Sequence, residues 1–216
     1  MSVYRQHLKN KKILLTCGPT WTPIDSVRVI SNISSGKLGQ KLAETLSAQG
    51  AKVTLLEGAV ARPLKKASIK VLEFRYYHEL AKLLKQELGK PCDIVIHAAA
   101  VSDYQVKNRC RGKMPSGRRE QILRLVPTEK LIHRIKTFSP ECFLVGFKLE
   151  ESLSTKLLVE KAYQLLKKAR CDLVVANSLK RSYRSYIIDP QKKVLARAHS
   201  RSALAGTLTR ILAQWV

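Results

Sequence analysis

Residues 30–39 read ISNISSGKLG, a segment that places small, hydroxylated and glycine residues at the start of a predicted helix. Backbone N–H groups at a helix N-terminus are free and carry the positive end of the helix dipole, and glycines let a ligand approach the backbone closely. A strand is expected before this segment, because the apolar run at residues 13–15 is followed by the turn signal Gly18-Pro19. The order of strand, loop and glycine-rich helix start is typical of a phosphate-binding site.

Apolar periodicity alternates between strand and helix along the whole chain. The predicted helices are residues 36–50, 78–88, 128–137, 154–169 and 200–213, and the predicted strands are residues 13–15, 52–58, 69–74, 92–98, 121–126, 142–147 and 172–177. A hairpin is expected over residues 184–189 and 192–196. This alternation predicts an α/β fold: a Rossmann-like, mostly parallel sheet with helices on both faces, plus the C-terminal hairpin and helix.

The sequence also predicts a helix cap at Thr128 and a mobile loop at residues 112–117. Thr128 is expected to cap the helix that begins there, because threonine is a favoured N-cap residue. Residues 112–117 are basic, polar and rich in glycine, which favours a mobile lid. Ligands of such α/β folds bind beyond the carboxyl ends of the strands.

Length and composition are compatible with one domain, residues 1–216, because a chain that is 45% hydrophobic can bury a full core. No apolar run is long enough for a membrane span, and residues 1–12 lack the apolar centre of a secretory signal. Five cysteines without a C-x-x-C pair indicate reduced thiols, and the histidines show no spacing typical of metal ligands. We therefore expect a cytoplasmic protein whose side chains bind no metal.

The net charge of +24 arises from 40 lysines and arginines against 16 acidic residues. Such an excess is compatible with nucleic acid, an anionic membrane surface or a pocket for several phosphates. The basic residues occur as scattered doublets, for example Lys65-Lys66 and Lys192-Lys193, and aromatic residues make up only 6% of the chain. We therefore expect solvated basic faces with a few residues at a phosphate site, and neither a membrane nor a specific nucleic acid as partner.

Several segments together resemble a known family. They are TCGPTWTPID at residues 16–25, VRVISNISSGKLG at residues 27–39, AAAVSDY at residues 98–104, GFKLE at residues 146–150 and VVAN at residues 174–177. In this order they resemble phosphopantothenate–cysteine ligase, and the length of the chain resembles the stand-alone form of the bacterial type. The resemblance implies an enzyme of coenzyme A biosynthesis that joins 4′-phosphopantothenate to L-cysteine through an acyl-nucleotidylate. It also implies CTP, or ATP, as co-substrate with Mg²⁺, and a homodimer in which the neighbouring subunit helps to build the site.

The resemblance further implies roles for individual residues. Asn32 and Lys113 match catalytic positions: Asn32 contacts phosphopantothenate and assists amide formation, and Lys113 is a loop lysine that closes over the phosphates. The nucleotide is expected at Ser34, Gly36, Gly39, Asp103, Phe147, Lys168 and Asn177, and phosphopantothenate at Asn32, Ala99, Ala100 and Asp103. Mg²⁺ is expected to be carried by the triphosphate and water, without a protein ligand.

The chain departs from the family pattern in two places. After Lys113 the further lysines of the family's KxKK-type loop are missing. In the predicted helix 154–169, gap-free alignment puts Leu165 and Ala169 where bacterial members have two nucleotide-binding lysines, and Lys168 lies one residue away. Contact between this helix and CTP, and the choice of CTP over ATP, therefore stay open at this point.

The same residues also have purely structural interpretations. Residues 34–36 are of the types that simply cap helices, Phe147 is compatible with the core, and Asn177 with a strand-end turn. A different function is open as well, namely a Rossmann-like protein that binds a dinucleotide or a polyanion and has no ligase activity. The dinucleotide version lacks GxGxxG, because residues 36–39 supply only GxxG, and Glu57 is its one candidate acid at the end of the second strand.

Overall fold

The computed structural model describes residues 8–117, 119–151, 154–178 and 183–216. Residues 1–7, part of the segment excluded above as a secretory signal, lie outside the described residues. The strands are β1 (Lys12–Cys17), β2 (Trp21–Pro23), β3 (Val29–Ser31), β4 (Lys52–Glu57), β5 (Ile69–Glu73), β6 (Ile94–His97), β7 (Tyr104–Val106), β8 (Leu125–Pro127), β9 (Phe143–Glu150), β10 (Leu173–Ser178), β11 (Arg184–Ile188) and β12 (Val194–Ala198). The helices are α1 (Lys37–Ala48), α2 (Tyr77–Leu88), α3 (Ile132–Phe138), α4 (Thr155–Ala169) and α5 (Arg201–Trp215). None of the helices in these ranges is long and apolar enough to cross a membrane.

An eight-stranded sheet in the order β12-β11-β10-β9-β6-β1-β4-β5 carries the fold. Six adjacent strands of this sheet are parallel to one another, namely β10, β9, β6, β1, β4 and β5. The hairpin β11–β12 extends the sheet beyond β10 with antiparallel pairing. The strand order reverses at β1, which pairs with β4 on one side and with β6 on the other. This confirms the predicted Rossmann-like sheet, and it places a topological switch point, where such folds bind ligands, beside the end of β1.

Both faces of the sheet are covered by helices, as the unbroken apolar character of its strands predicts. Ile13, Leu15 and Cys17 of β1 pack on the face covered by α1 and α5, whereas Leu14 packs on the face covered by α2, α3 and α4. All four side chains are at most 3% exposed, so β1 is fixed from both sides. The segments that leave its carboxyl end therefore start from a rigid base.

The helices α1 and α5 start at the same edge of the sheet. α1 follows the carboxyl end of β1, and α5 follows β12, which runs in the direction of β1 after the two antiparallel reversals at β11 and β12. Both helices share the core of one face, in which Leu42 and Leu46 of α1 lie with Leu204 and Leu208 of α5. Two helix N-termini consequently point to the same end of the molecule.

Two small sheets lie outside the main one, β2 with β3 and β7 with β8. The sequence predicted an irregular loop where β2 and β3 form a hairpin. The predicted strand over residues 121–126 is also only partly correct, because just Leu125–Pro127 pairs, and it pairs with β7 and not in the main sheet. Strands of three residues are too short to produce a readable alternation of apolar and polar side chains.

The prediction that Thr128 caps a helix is wrong. The helix α3 begins at Ile132, its N-cap is Leu131, and no side chain caps it. The hydroxyl of Thr128 instead donates to the carbonyl oxygen of Ser102 at 2.6 Å. Thr128 thus ties the segment after β8 to the segment after β6, a contact that local sequence does not reveal.

Candidate functional site

A cavity of about 1070 Å³ lies beyond the carboxyl ends of β1, β6, β9 and β10. Its walls are the segment that leads into α1, the segment after β6, the start of α3 and one face of α4. The predicted site residues that line it are Asn32, Ser34, Gly36, Gly39, Ala99, Ala100, Asp103, Phe147, Lys168 and Asn177. Lys113 is not among its lining residues. The fold therefore gathers residues that are far apart in sequence at the predicted edge of the sheet.

The start of α1 is left uncovered by side chains. Its N-cap is Gly36 in the left-handed region, with φ 70°, and no side chain accepts a hydrogen bond from the first turn. The first N–H groups of the helix are thus free for a ligand, as an anion site requires. Gly36 thus takes the N-cap position, but neither Ser34 nor Ser35 caps the helix with its side chain. A Cβ at Gly36 would also come within 2.7 Å of Val60 Cγ1, so backbone angle and space both favour glycine here.

Gly39 also lines the cavity, but a side chain is excluded there by packing and not, as at Gly36, by the backbone angle as well. A Cβ at this position would lie 2.2 Å from the Cβ of Cys17. Gly39 therefore lets α1 pack directly on β1, which is a role that glycines have at such helix starts. It sets the position of the uncovered helix start relative to the end of the strand.

Asn32 bridges the two halves of the cavity. Its Nδ2 donates to the carbonyl oxygens of Ala100, at 3.1 Å, and Val101, at 3.3 Å. Ala100 is held in turn by its own N–H, which donates to the carbonyl of Gly18 at 2.8 Å. Because both amide hydrogens of Asn32 are used, its Oδ1 is the atom left to accept a bond from a ligand.

The acidic residues of the cavity wall are all paired with cations. Asp103 forms an ion pair with Lys130, and Glu129 forms one with Arg134 at 2.9 Å. Glu150 lies between Lys148, at 3.0 Å, and Lys161, at 3.1 Å. The bond from Lys148 is the main cause that holds the pKa of Glu150 below its ordinary value. No unpaired carboxylate among these three is left to repel a phosphate.

One face of α4 forms a wall of the cavity with Lys161, Gln164, Leu165 and Lys168. Positions seven residues apart lie almost in line on a helix, so the two lysines point the same way two turns apart. Lys167, by contrast, places its ammonium over the ring of Tyr163 at 4.9 Å. The helix thus presents two cations to the cavity at a spacing of seven, although Leu165 occupies one of the family's lysine positions.

Phe147 and Asn177 lie at the ends of β9 and β10. Phe147 is half-buried and packs against the core under α1 and α5, so it lines the cavity and belongs to that core as well. Asn177 is only 7% exposed, and its Oδ1 has no hydrogen-bond partner in the described part of the chain. Among the residues that the structure describes, no side-chain hydrogen bond supports the interpretation of Asn177 as a turn-stabilising residue.

With this geometry in place, comparison with known proteins identifies the family. Residues 8–211 match the family described as the DNA/pantothenate metabolism flavoprotein C-terminal domain. The chain belongs to this family.

Individual members of the family agree with this assignment. The chain is 41% identical to the coenzyme A biosynthesis bifunctional protein CoaBC of Thermococcus kodakarensis over 179 residues, which are 82% of this chain and 44% of that protein. The chain therefore spans less than half the length of this relative. The structure of the DNA/pantothenate metabolism flavoprotein from Streptococcus pneumoniae is 28% identical, with a TM-score of 0.85 over 95% of this chain and 100% of that one.

A more distant structure shares the fold alone. It is a histidine-to-alanine mutant of Cab2 in complex with phosphopantothenate-cysteine, 20% identical, with a TM-score of 0.78. The match covers 98% of this chain and 92% of that one. The eight-stranded sheet with its helices is thus common to members with little sequence identity.

Lys113, which resembles the loop lysine of this family, lies outside the cavity in a loop anchored elsewhere. The next residue, Met114, donates its N–H to Asp25 Oδ2 at 3.1 Å and accepts from Arg28 Nη2 at 3.0 Å. Asp25 also accepts from the N–H of Val27 at 2.9 Å, and the Arg28 guanidinium holds the pKa of Asp25 far below its usual range. The exposed Lys113 side chain is therefore close to the β2–β3 hairpin, and the closing lid stays a prediction.

His97 is a cavity residue that sequence reasoning did not single out. Burial lowers the pKa of His97 to about 4, so the imidazole is neutral at physiological pH. Thr16 Oγ1 accepts the N–H of Ala99 at 3.1 Å, and it lies 3.0 Å from His97 Nδ1. Thr16 and His97 thus share a hydrogen bond, and the pair supports the backbone of Ala99. A histidine after a buried apolar strand was the available signal.

Glu57, the one acid that favoured a dinucleotide, is not available to a ligand. It is fully buried, and its carboxylate accepts from Gln40 Nε2 at 2.8 Å and from the N–H of Leu64 at 2.9 Å. In dinucleotide-binding folds the corresponding acid binds the ribose hydroxyls. In this member of the family the carboxylate instead fastens α1 to the loop after β4, which argues against the dinucleotide interpretation.

Proposed function

We propose that this chain is a phosphopantothenate–cysteine ligase, which forms the amide between 4′-phosphopantothenate and L-cysteine at the expense of a nucleoside triphosphate. The bridge from Asn32 to the carbonyls of Ala100 and Val101 carries this proposal, because it joins an uncovered helix start to the segment predicted to hold the pantothenate arm. Membership of the family and the names of the relatives, which include a complex with phosphopantothenate-cysteine, support it.

In the first step an oxygen of the phosphopantothenate carboxylate attacks the α-phosphorus of the nucleotide. The bond between the α-phosphorus and the bridging oxygen breaks, and pyrophosphate leaves with the electron pair. Negative charge develops on the phosphates, so N–H donors and cations that face them stabilise the transition state. We assign this role to the free N–H groups at the start of α1, beside Ser34 and Gly36, and to Lys168.

In the second step the cysteine amine attacks the acyl carbon of the acyl-nucleotidylate. The bond from this carbon to the phosphate oxygen breaks, nucleoside monophosphate leaves, and the amine loses a proton to solvent. Asn32 Oδ1 accepts a hydrogen bond from the attacking amine, because Nδ2 is already committed to Ala100 and Val101. An amide is suited to this task since it orients the amine without competing as a nucleophile.

We propose CTP as the preferred nucleotide, with ATP as the alternative, in line with the resemblance to the bacterial type. Lys161 and Lys168 supply charge for the phosphates from α4, but ammonium groups do not distinguish one base from another. Mg²⁺ fits as a companion of the triphosphate, because Asp103, Glu129 and Glu150 are each paired with lysine or arginine and form no cage for it.

We further propose that the enzyme is a cytoplasmic homodimer that associates through the two small sheets. Val29, Ile30, Tyr104 and Leu125 on β3, β7 and β8 are 39%, 37%, 52% and 43% exposed, which is unusual for such large apolar side chains in strands. A second copy of the chain covers them in this arrangement. Lys113 belongs to the same region, so dimerisation brings it towards the cavity of the partner copy. Cysteines that are all free thiols are in keeping with the cytoplasm.

The reaction itself provides the test. The pure protein is incubated with phosphopantothenate, cysteine, Mg²⁺ and CTP, ATP, GTP or UTP in turn, and pyrophosphate and the amide product are assayed. We expect equal amounts of both products with CTP, and less with ATP. Without cysteine, pyrophosphate release should stop after a single turnover. Absence of amide product with every nucleotide would refute the ligase assignment.

A further inference from the structure

The cavity ends in a polar cluster on the side of α5, formed by Asn177, Tyr183 and Arg201. Asn177 is 7% exposed, and neither its Oδ1 nor the hydroxyl of Tyr183 has a hydrogen-bond partner in the described part of the chain. A buried polar group left in this way costs about 1–3 kcal/mol of stability. Two such atoms at the wall of one cavity indicate groups that a ligand satisfies.

Ser185 and Arg201 are the polar side chains near Tyr183. Ser185 gives its own hydroxyl proton to the carbonyl oxygen of Ala198 at 3.2 Å. Burial raises the pKa of Tyr183, and the nearby Ser185 and Arg201 offset this only in part. The Tyr183 hydroxyl therefore stays protonated and is available as a donor and an acceptor.

Arg201 adds a positive charge to these neutral groups. It is the first residue of α5, and its guanidinium lies over the ring of Tyr183, 5.6 Å from the ring centre. None of the ion pairs in residues 8–117, 119–151, 154–178 and 183–216 involves it. Since α1 and α5 start at the same edge and on the same face, Arg201 and the open start of α1 bring positive potential to one side of the cavity.

We propose that Asn177, Tyr183 and Arg201 form a further part of the nucleotide subsite, in which Arg201 binds a phosphate oxygen and Asn177 and Tyr183 bind hydroxyl or amino groups of the nucleoside. This inference rests on the proposed function. The nucleotide is favoured over phosphopantothenate as the occupant because the cluster shares its face of the sheet with the start of α1. Asn32 instead ties the pantothenate segment to the end of β6.

Equilibrium binding of CTP and ATP tests the inference without turnover, by calorimetry of the whole protein in MgCl₂ with phosphopantothenate and cysteine omitted. We expect Arg201→Gln to raise Kd about tenfold or more, as for loss of a charged hydrogen bond. Arg210→Gln is the matched control, because Arg210 is an exposed arginine of the same helix outside the cavity lining. It should leave Kd unchanged.

Tyr183→Phe separates ligand binding from a structural role. Removal of an unpartnered buried hydroxyl should raise Tm, and at the same time it should weaken nucleotide binding several-fold. A raised Tm with unchanged Kd would contradict the inference, as would unchanged binding by Arg201→Gln or failure of the wild-type protein to bind either nucleotide. Nucleotide binding that depends on Arg201, in a protein that forms no amide, would support the subsite and refute only the ligase assignment.

Discussion

Asn32 and Ala100 are joined across the cavity, with 3.1 Å between the side-chain nitrogen of the first and the carbonyl oxygen of the second. A second bond from the same nitrogen to Val101, at 3.3 Å, uses its other hydrogen. The contact fixes the amide so that its oxygen is the free atom, and it links the segment before α1 to the segment after β6. In the proposed reaction, this contact holds the phosphate site and the acyl site within reach of each other, as a joined acyl-nucleotidylate requires.

Asn32→Asp should separate the two chemical steps. The substitution replaces the Nδ2 donor of Asn32 with a charged oxygen that faces the carbonyl oxygens of Ala100 and Val101. The side chain must therefore turn away, and the cysteine amine loses the oxygen that accepts its hydrogen bond. We expect pyrophosphate release to remain measurable in a single turnover, and amide formation to fall about 100-fold or more. Rapid quench with labelled nucleotide measures both. Asn10→Asp at an exposed position is the control, and equal loss of both steps would contradict the assigned role.

Lys113 should act across the dimer, since it lies beside Asp25 and Arg28 and not in the cavity of its own chain. Lys113→Gln is expected to suppress pyrophosphate release. Subunit exchange between inactive Lys113→Gln and inactive Asn32→Asp proteins then creates mixed dimers with one intact site, which should restore about one quarter of wild-type activity. A mixture that stays inactive although exchange is verified would place Lys113 in its own subunit's site.

Lys168 and Lys167 are adjacent in sequence but face different surroundings. Lys168 lines the cavity, whereas the ammonium of Lys167 lies over Tyr163 at 4.9 Å. Lys168→Met should raise the KM for the nucleotide about tenfold, equivalent to about 1.4 kcal/mol, and weaken its salt dependence. Lys167→Met should change neither. Equal effects of both substitutions would indicate a general charge effect of the helix.

The sequence was sufficient for those parts of the molecule that depend on local pattern. Strands buried on both faces read as apolar runs, and the segment around Gly36 carries backbone requirements that only glycine meets. The order of the main elements and the residues around the start of α1 could therefore be predicted. Lys168 was predicted from the sequence and lines the cavity, whereas Lys161 was missed, because the family pattern places its two lysines four residues apart and not seven.

Other features depend on contacts between distant segments and have no local signal. Thr128 looked like a helix cap, yet its hydroxyl binds the carbonyl of Ser102, which only the pairing of β7 with β8 brings near. Glu57 was a candidate for binding a ribose, but in the structure its carboxylate accepts a hydrogen bond from Gln40 of α1. The cluster of Asn177 and Arg201 likewise arises from the way the hairpin returns the chain to the edge of the sheet where β10 ends.

Gly39 and Gly206 lie in helices and should respond to alanine with opposite signs. A Cβ at Gly39 meets Cys17 Cβ at 2.2 Å, whereas one at Gly206 has no described atom within 4 Å. Gly39→Ala should lower the free energy of unfolding by about 1–3 kcal/mol through overpacking. Gly206→Ala should raise it by about 0.5–1 kcal/mol through better helix propensity. Urea unfolding measures both, and stabilisation by Gly39→Ala would contradict the packing role.

His97 should make stability depend on pH. Burial lowers the pKa of His97 to about 4 from the ordinary 6.5, so below pH 6.5 the unfolded chain binds a proton that the folded chain does not bind. The contribution of His97 to the free energy of unfolding is therefore greatest above pH 6.5, and this share, up to about 3 kcal/mol, is lost as the pH falls towards 4. The slope should be visible in urea unfolding between pH 7.5 and 5.

His97→Asn removes the titrating ring and should flatten that slope, leaving only the contribution of the carboxylates. His199→Asn is the matched control, because His199 is exposed and its removal should leave the slope as in the wild type. If the two variants lose stability equally as the pH falls, the lowered pKa of His97 is not the source of the pH dependence. If only His97→Asn is flattened, the neutral ring bonded to Thr16 is established as the group that resists protonation beneath Ala99.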